Sequence, residues 1–201
     1  MTTLTPVLVP TVLDGGAVRL EPFADAHVPL LLAHADDPDS WRYMGAFDLS
    51  DATLRSRWLD LVRAERGRGE GVAFAIVHAP SGEVAGCTSL YDFSGQHRRA
   101  EIGRTWLAGP YRRSQVNTHA KLLLLTHCFD TLALNRVQLK TDGRNERSQR
   151  AIERLGATRE GVLRAHMVLP DGFVRDTVMY SVVRAEWPRV RARLQSLMER
   201  V

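Results

Sequence analysis

The chain has 201 residues, 44% of them hydrophobic, which is enough for one closed core and tight for two. Its 27 Lys and Arg against 23 Asp and Glu leave a net charge of +4. That excess is modest for a nucleic-acid surface, and no helix-turn-helix, zinc-finger or RNA-binding aromatic signature accompanies it.

No stretch reaches the roughly 18 apolar residues needed to span a bilayer, and the N-terminus lacks a basic segment followed by a long apolar one. The expectation is a cytoplasmic protein bound to neither membrane nor nucleic acid. Cys87 and Cys128 lie in apolar stretches without metal-ligand spacing, so they read as reduced core thiols and no metal is expected.

Residues 1–16, with prolines and a Gly-Gly pair, read as an arm or short hairpin, and 17–201 as a single domain. A strand over 17–22 leads into helices over 25–34 and 51–65, the second with Ser50 as its N-cap. The loop between these helices carries Trp41, Tyr43 and Phe47, aromatics that can line a substrate cleft or cover the core. Three runs at 72–79, 84–93 and 98–108, separated by PSGE and SGQH, imply an antiparallel meander. A helix over about 117–133, a strand over 136–141, a helix over 146–155, strands over 158–168 and 173–183, and a closing helix from about Ala185 complete the order.

The stretch RRSQVNTHA at 112–120 joins the meander to a strongly apolar helix. Unpaired N–H groups and partial positive charge at a helix N-terminus bind phosphate, and Arg112 and Arg113 would add charge at that mouth. Asn117 is a plausible cap. Neither a P-loop, nor a dinucleotide fingerprint after a strand, nor a nucleophile elbow occurs, which argues against a kinase, a dehydrogenase or a serine hydrolase.

Four further stretches stand in order along the chain: VRLEP at the start, AEIGRTWL on the central strand, RNERSQRAIERLGATREGVLR at 144–164 and LPDGFVRDTVMYSV at 169–182. On these, over residues 17–190, the chain resembles the GCN5-related N-acetyltransferases, and within them the Rim-type branch that acetylates ribosomal-protein N-termini. The likeness implies an α/β fold with a mixed, largely antiparallel sheet flanked by helices, and acetyl-CoA as cofactor. It also implies pantetheine contacts from the backbone at Trp106 and Leu107, and pyrophosphate contacts from Arg112, Arg113, Ser114, Gln115, Val116 and Asn117. The family's loop pattern has small residues where Gln115 and Asn117 stand, so Gln115 is expected to resist the positive φ that glycine permits. A domain that kept the fold but lost tight cofactor binding, and now serves as a binding or assembly module, is the rival reading.

The resemblance gives Asn145 to the pantetheine arm and Ser148 to the departing thiolate. Acetyl transfer needs a neutral amine, hence a proton acceptor near it. Strict alternation on the central strand puts Glu101, Gly103 and Thr105 on one face, and Ile102 and Arg104 on the other. Glu101 is one candidate base, with pairing to Arg99 or Arg104 as its structural alternative; His166 is the other. The acceptor would be a protein N-terminus or a small-molecule amine, and apolar side chains near the C-terminal sheet edge leave a homodimer open.

Overall fold

The computed structural model describes residues 5–35, 40–45 and 47–199; residues 36–39 and Ala46 of the aromatic loop, and 1–4 of the arm, lie outside the described residues. The strands are β1 (Leu13–Asp14), β2 (Val18–Pro22), β3 (Val72–His78), β4 (Glu83–Ser94), β5 (Arg99–Leu107), β6 (Arg136–Asp142), β7 (Thr158–Val168) and β8 (Val174–Val183). The helices are α1 (His27–Leu32), α2 (Ala52–Gly67), α3 (Val116–Thr126), α4 (Glu146–Leu155) and α5 (Trp187–Glu199). A π-turn over His127–Thr131 continues α3 and accounts for the longer helix expected from the apolar run.

The eight strands form one sheet in the order β1-β2-β3-β4-β5-β6-β8-β7. Short turns make β3, β4 and β5 the antiparallel meander that the turn residues imply. β5 and β6 are parallel, because the chain between them crosses over through α3. They pair only at Arg99↔Arg136, Ala100↔Val137 and Glu101↔Gln138; beyond Glu101 the two strands part.

Local chemistry sets the helix ends. Asp51, not Ser50, caps α2, its carboxylate accepting from the N–H groups of Thr53 and Leu54 at 2.8 Å each; Ser50 is drawn off to Asp48. Asn145 caps α4 by accepting from Ser148 N at 3.0 Å.

Apolar side chains of α3, α4 and α5 pack on one face of the sheet. On the other face α1, α2 and the aromatic loop cover the N-terminal half with a second core. Trp41 and Phe47 belong to this second core, each 5% exposed, and Trp41 stacks on Trp106 with ring centroids 5.0 Å apart. Their expected place in a substrate cleft is therefore corrected: the loop uses them to close the core over β5, and of the three aromatics Tyr43 alone stays half-exposed.

The face assignment on β5 also needs correction. Between Cys87↔Trp106 and Ser89↔Gly103, β4 has one residue and β5 has two, a bulge with Arg104 at φ 50°. The extra residue reverses the alternation. Arg104 turns to the face of Glu101 and meets Glu65 of α2 at 2.7 and 2.9 Å, while Thr105 turns to α3 and bonds Lys121.

Candidate active site

Glu101 sits where β5 and β6 begin to part, and it is 1% exposed. Its carboxylate accepts from the Tyr91 phenol, from Gln138 Nε2 at 2.9 Å and from Lys140 Nζ at 3.1 Å. Neither arginine expected as its partner is used: Arg99 pairs with Asp92 and Arg104 with Glu65. Tyr91 stands directly across from Glu101 in the β4–β5 ladder. Burial first, and then the charge of Glu101, pushes its phenol far above the ordinary value, so Tyr91 remains a donor. Gly103 makes room for it, since a Cβ there would lie 2.9 Å from the Tyr91 hydroxyl.

Beyond Glu101, the edge of β5 that faces β6 has no strand partner. Backbone polar groups in such a position need acceptors and donors from elsewhere. Leu107 O already accepts from Arg112 Nε at 2.9 Å, and Arg112 also donates to Ser40, so Arg112 braces the end of β5 against the aromatic loop.

The glycine-free loop solves its backbone problem one residue away from the expected place. Arg113 takes the left-handed conformation, φ 60°, whereas Gln115 is right-handed at φ −78°. Gln115 is the N-cap residue of α3 but makes no side-chain cap; Asn117, expected to cap, lies inside the first turn. Ser114 Oγ donates to Tyr111 O at 2.6 Å and accepts from Val116 N at 3.2 Å. The first backbone bond into the helix is His119 N to Gln115 O, at 3.0 Å, which leaves the N–H groups of Asn117 and Thr118 ahead of it at the mouth. Asn117 Oδ1 is buried there without a partner, and Arg113 and Ser114 are exposed. An opened strand edge leading to a basic helix N-terminus fits a long ligand with amides at one end and phosphates at the other.

Asn145 and Ser148 open α4, just past the end of β6, both half-buried; no described residue bonds the Ser148 hydroxyl. His166 lies on the exposed edge strand β7, with Nδ1 3.0 Å from Thr177 Oγ1. With β6 and β8 between β7 and β5, it is about 14 Å across the sheet from Glu101 at ordinary strand spacing. The structure does not bring the two candidate bases together.

Two buried groups escaped the sequence reading. Lys121 is 5% exposed under the β5 bulge, with Nζ 2.6 Å from Thr105 Oγ1 and 3.3 Å from Thr88 Oγ1. Burial pulls its pKa down to about 7. Its signal was a lone charge inside the apolar run 120–125. Arg175 on β8 is 6% exposed, and its signal was weaker, a charge within an alternating strand.

A mixed sheet split at its centre, with a helix N-terminus at the mouth of the split and a buried carboxylate at its apex, defines an acyl-CoA-dependent transferase. Comparison with known proteins agrees: residues 17–158 match the family model of the acetyltransferase (GNAT) domain. The chain belongs to that family; it is an N-acetyltransferase that uses acetyl-CoA.

YdaF of Bacillus subtilis (strain 168), provisionally named a ribosomal N-acetyltransferase, is 28% identical over 164 residues, which is 82% of this chain and 87% of YdaF. A provisionally described acetyltransferase from T. thermophilus superposes with a TM-score of 0.83 at 44% identity, covering 94% of this chain and 98% of that one. Mycobacterium smegmatis RimJ, solved with CoA-disulfide, gives 0.75 at 25% identity, covering 94% and 95%. These likenesses run to the Rim-type branch.

Proposed function

We propose that the enzyme acetylates a primary amine, either the α-amine of a protein N-terminus or that of a small molecule, with Glu101 as the proton acceptor. Acetyl-CoA supplies an activated acetyl group, which the amine nitrogen takes directly as the C–N bond forms and the C–S bond breaks. The observation that carries this reading is the position of Glu101 at the last paired residue of β5, at the apex of the split.

Glu101 receives the amine proton, directly or through a water, while Tyr91, Gln138 and Lys140 hold its carboxylate in place. The Ser148 hydroxyl, with no competing partner among the described residues, donates to the departing thiolate. Asn145 spends its oxygen on the α4 cap, leaving its amide N–H groups for the pantetheine arm. Backbone groups near Trp106 and Leu107 hold the rest of that arm. The N–H groups of Asn117 and Thr118, with Arg113 and Ser114 beside them, hold the diphosphate; Arg112, Gln115 and Val116 shape the loop. His166 and Tyr43 border the acceptor.

The name of YdaF, a ribosomal N-acetyltransferase, favours a ribosomal protein as the acceptor. Among the described residues no helix is long and apolar enough to cross a membrane, and buried thiols, Cys87 pushed up to about 12 by burial, suit the cytoplasm. Edge strand β7, with Val168 72% exposed, is the surface for a homodimer.

Calorimetric titration with acetyl-CoA, followed by an amine panel scored for free thiol, tests the reading. Glu101→Gln should lower kcat by roughly 100-fold or more, and Ser148→Ala by about tenfold, with acetyl-CoA affinity retained. Unchanged rates in both variants would refute the assigned roles.

A further inference from the structure

The sheet face beside Glu101 gathers three cations, Lys140, Arg144 and Arg175, and three carboxylates, Glu101, Asp142 and Asp171. Alternation along β6 turns Gln138, Lys140 and Asp142 to this face, and β8 sends Arg175 and Thr177 to it. Lys140 is matched by Glu101 at 3.1 Å. Asp142, 1% exposed, is held by Arg144 Nε at 3.0 Å and Arg144 Nη2 at 2.8 Å. Burial opposes ionisation of Asp142, but Arg144 and then Arg175 outweigh it and keep the carboxyl below its ordinary value. Asp171, also within reach of Arg144, accepts from the backbone N–H of Phe173 in its own turn at 3.0 Å.

Arg175 is left over. Its nearest carboxylate oxygen is Asp142 Oδ2, 3.9 Å from Nε and beyond hydrogen-bond distance. Nε is buried without a partner, and no described residue accepts a hydrogen bond from any nitrogen of this guanidinium. A guanidinium on a side chain 7% exposed, whose buried Nε finds no acceptor, is a costly arrangement unless something else supplies one. Arg175 also lies within electrostatic reach of Tyr91 and Glu101, on the sheet face they share. Arg144 stacks over Phe173 with its guanidinium carbon 3.6 Å from the ring centroid, and reaches toward Tyr43 at 5.5 Å. The two aromatics thus gather around Arg144, which shares Asp142 with Arg175.

We propose that Arg175 is the recognition residue for a carboxylate carried by the amine acceptor, so that the substrate class is an amino-carboxylate rather than a simple amine or a polycation. A planar guanidinium matches a carboxylate with two parallel hydrogen bonds. Free amino acids and peptides with an acidic residue at their N-terminus carry the same chemistry.

This inference rests on the amine-acetyltransferase reading, and the test separates the two. Matched acceptors differing only as carboxylate or carboxamide, free amino acids beside their amides and Asp-first beside Asn-first tetrapeptides, are compared by kcat/KM. The wild type should favour the carboxylate by tenfold or more, chiefly in KM, and Arg175→Gln should bring that ratio towards one, with Arg175→Lys in between. The amino-acid and peptide arms tell which source is preferred. Independently of turnover, glutarate should raise the melting temperature of the wild type saturably and leave that of Arg175→Gln unmoved.

Amine acetylation without carboxylate preference would overturn the inference and leave the transferase reading standing. Glutarate binding that depends on Arg175, without acetylation of any amine, would uphold the anion site and overturn the reading of the acceptor reaction. A preference for succinyl-CoA over acetyl-CoA that Arg175→Gln abolishes would put the carboxylate on the acyl chain and overturn the acceptor assignment. An equal loss on both acceptors in Arg175→Gln and Arg175→Lys would mean a merely structural arginine.

Discussion

At the scale of single residues, the side chains that decide the chemistry are those whose burial conflicts with their charge. Lys121 shows it in its simplest form, because two threonine hydroxyls and no carboxylate receive its ammonium. Burial lowers its folded pKa from 10.5 to about 7, so the unfolded chain holds more protons than the folded one between those values. Stability therefore rises with pH from about 7 to 10.5, and below pH 7 the folded protein carries the whole penalty of a buried cation. At 1.36 kcal/mol per pKa unit this is on the order of 5 kcal/mol. Replacing Lys121 by Met leaves Thr88 and Thr105 bonded to each other at 2.8 Å, so no new orphan is created. Lys121→Met should raise the urea-unfolding free energy by a few kcal/mol at pH 6 and by about 1 kcal/mol at pH 9.5. An equal gain at both pH values would show that packing, not charge, is responsible.

At the scale of elements, the 112–117 loop and the β5 bulge show what a sequence pattern conveys and what it hides. Turn residues and alternation made the β3–β4–β5 meander, α4 and the β7–β8 hairpin legible, because each signal is local and the register follows from short turns. The bulge was not legible: no periodicity marks one surplus residue, and Arg104 is not a residue that advertises φ 50°. With the bulge hidden, Thr105 was put on the wrong face, and the Tyr91–Glu101 pair, a matter of strand register, had no local signal at all. Asn117 was misplaced as a cap because the loop's strained residue is Arg113 rather than Gln115. That difference is measurable. A left-handed non-glycine residue costs about 1–2 kcal/mol, so Arg113→Gly should stabilise the fold by roughly 1 kcal/mol while weakening acetyl-CoA binding through the lost charge. Gln115→Gly, at a position that never leaves the right-handed region, should bring no gain in either. A shift of the urea midpoint to higher concentration in Gln115→Gly and not in Arg113→Gly would reverse this account of the loop.

At the scale of the whole molecule, the two faces of the sheet are treated unequally, and the site is the consequence. Helices α3, α4 and α5 cover one face, whereas α1, α2 and the aromatic loop cover the N-terminal half of the other. The remaining quarter, which no described helix covers, holds Glu101, Lys140, Asp142 and Arg175, and it ends at β7, whose far edge pairs with no described strand. The family likeness made this architecture legible from sequence, but not which side chains the open face would gather, since that depends on the split and the bulge together. Along and beside that edge Val168 is 72%, Val174 53% and Leu163 44% exposed. An apolar strand edge left in water tends to pair or aggregate unless something covers it, and a second copy of the chain presents the same edge for a two-fold pairing. Sedimentation velocity should therefore report a dimer at micromolar concentration. Val168→Lys, a charge placed on the strand edge, should return it to a monomer with unchanged circular dichroism and unchanged acetyl-CoA affinity, because β8 and β6 lie between β7 and the split where β5 and β6 part. A wild-type monomer at about 100 μM, well above the Kd of a micromolar dimer, would reject the edge as a dimer surface.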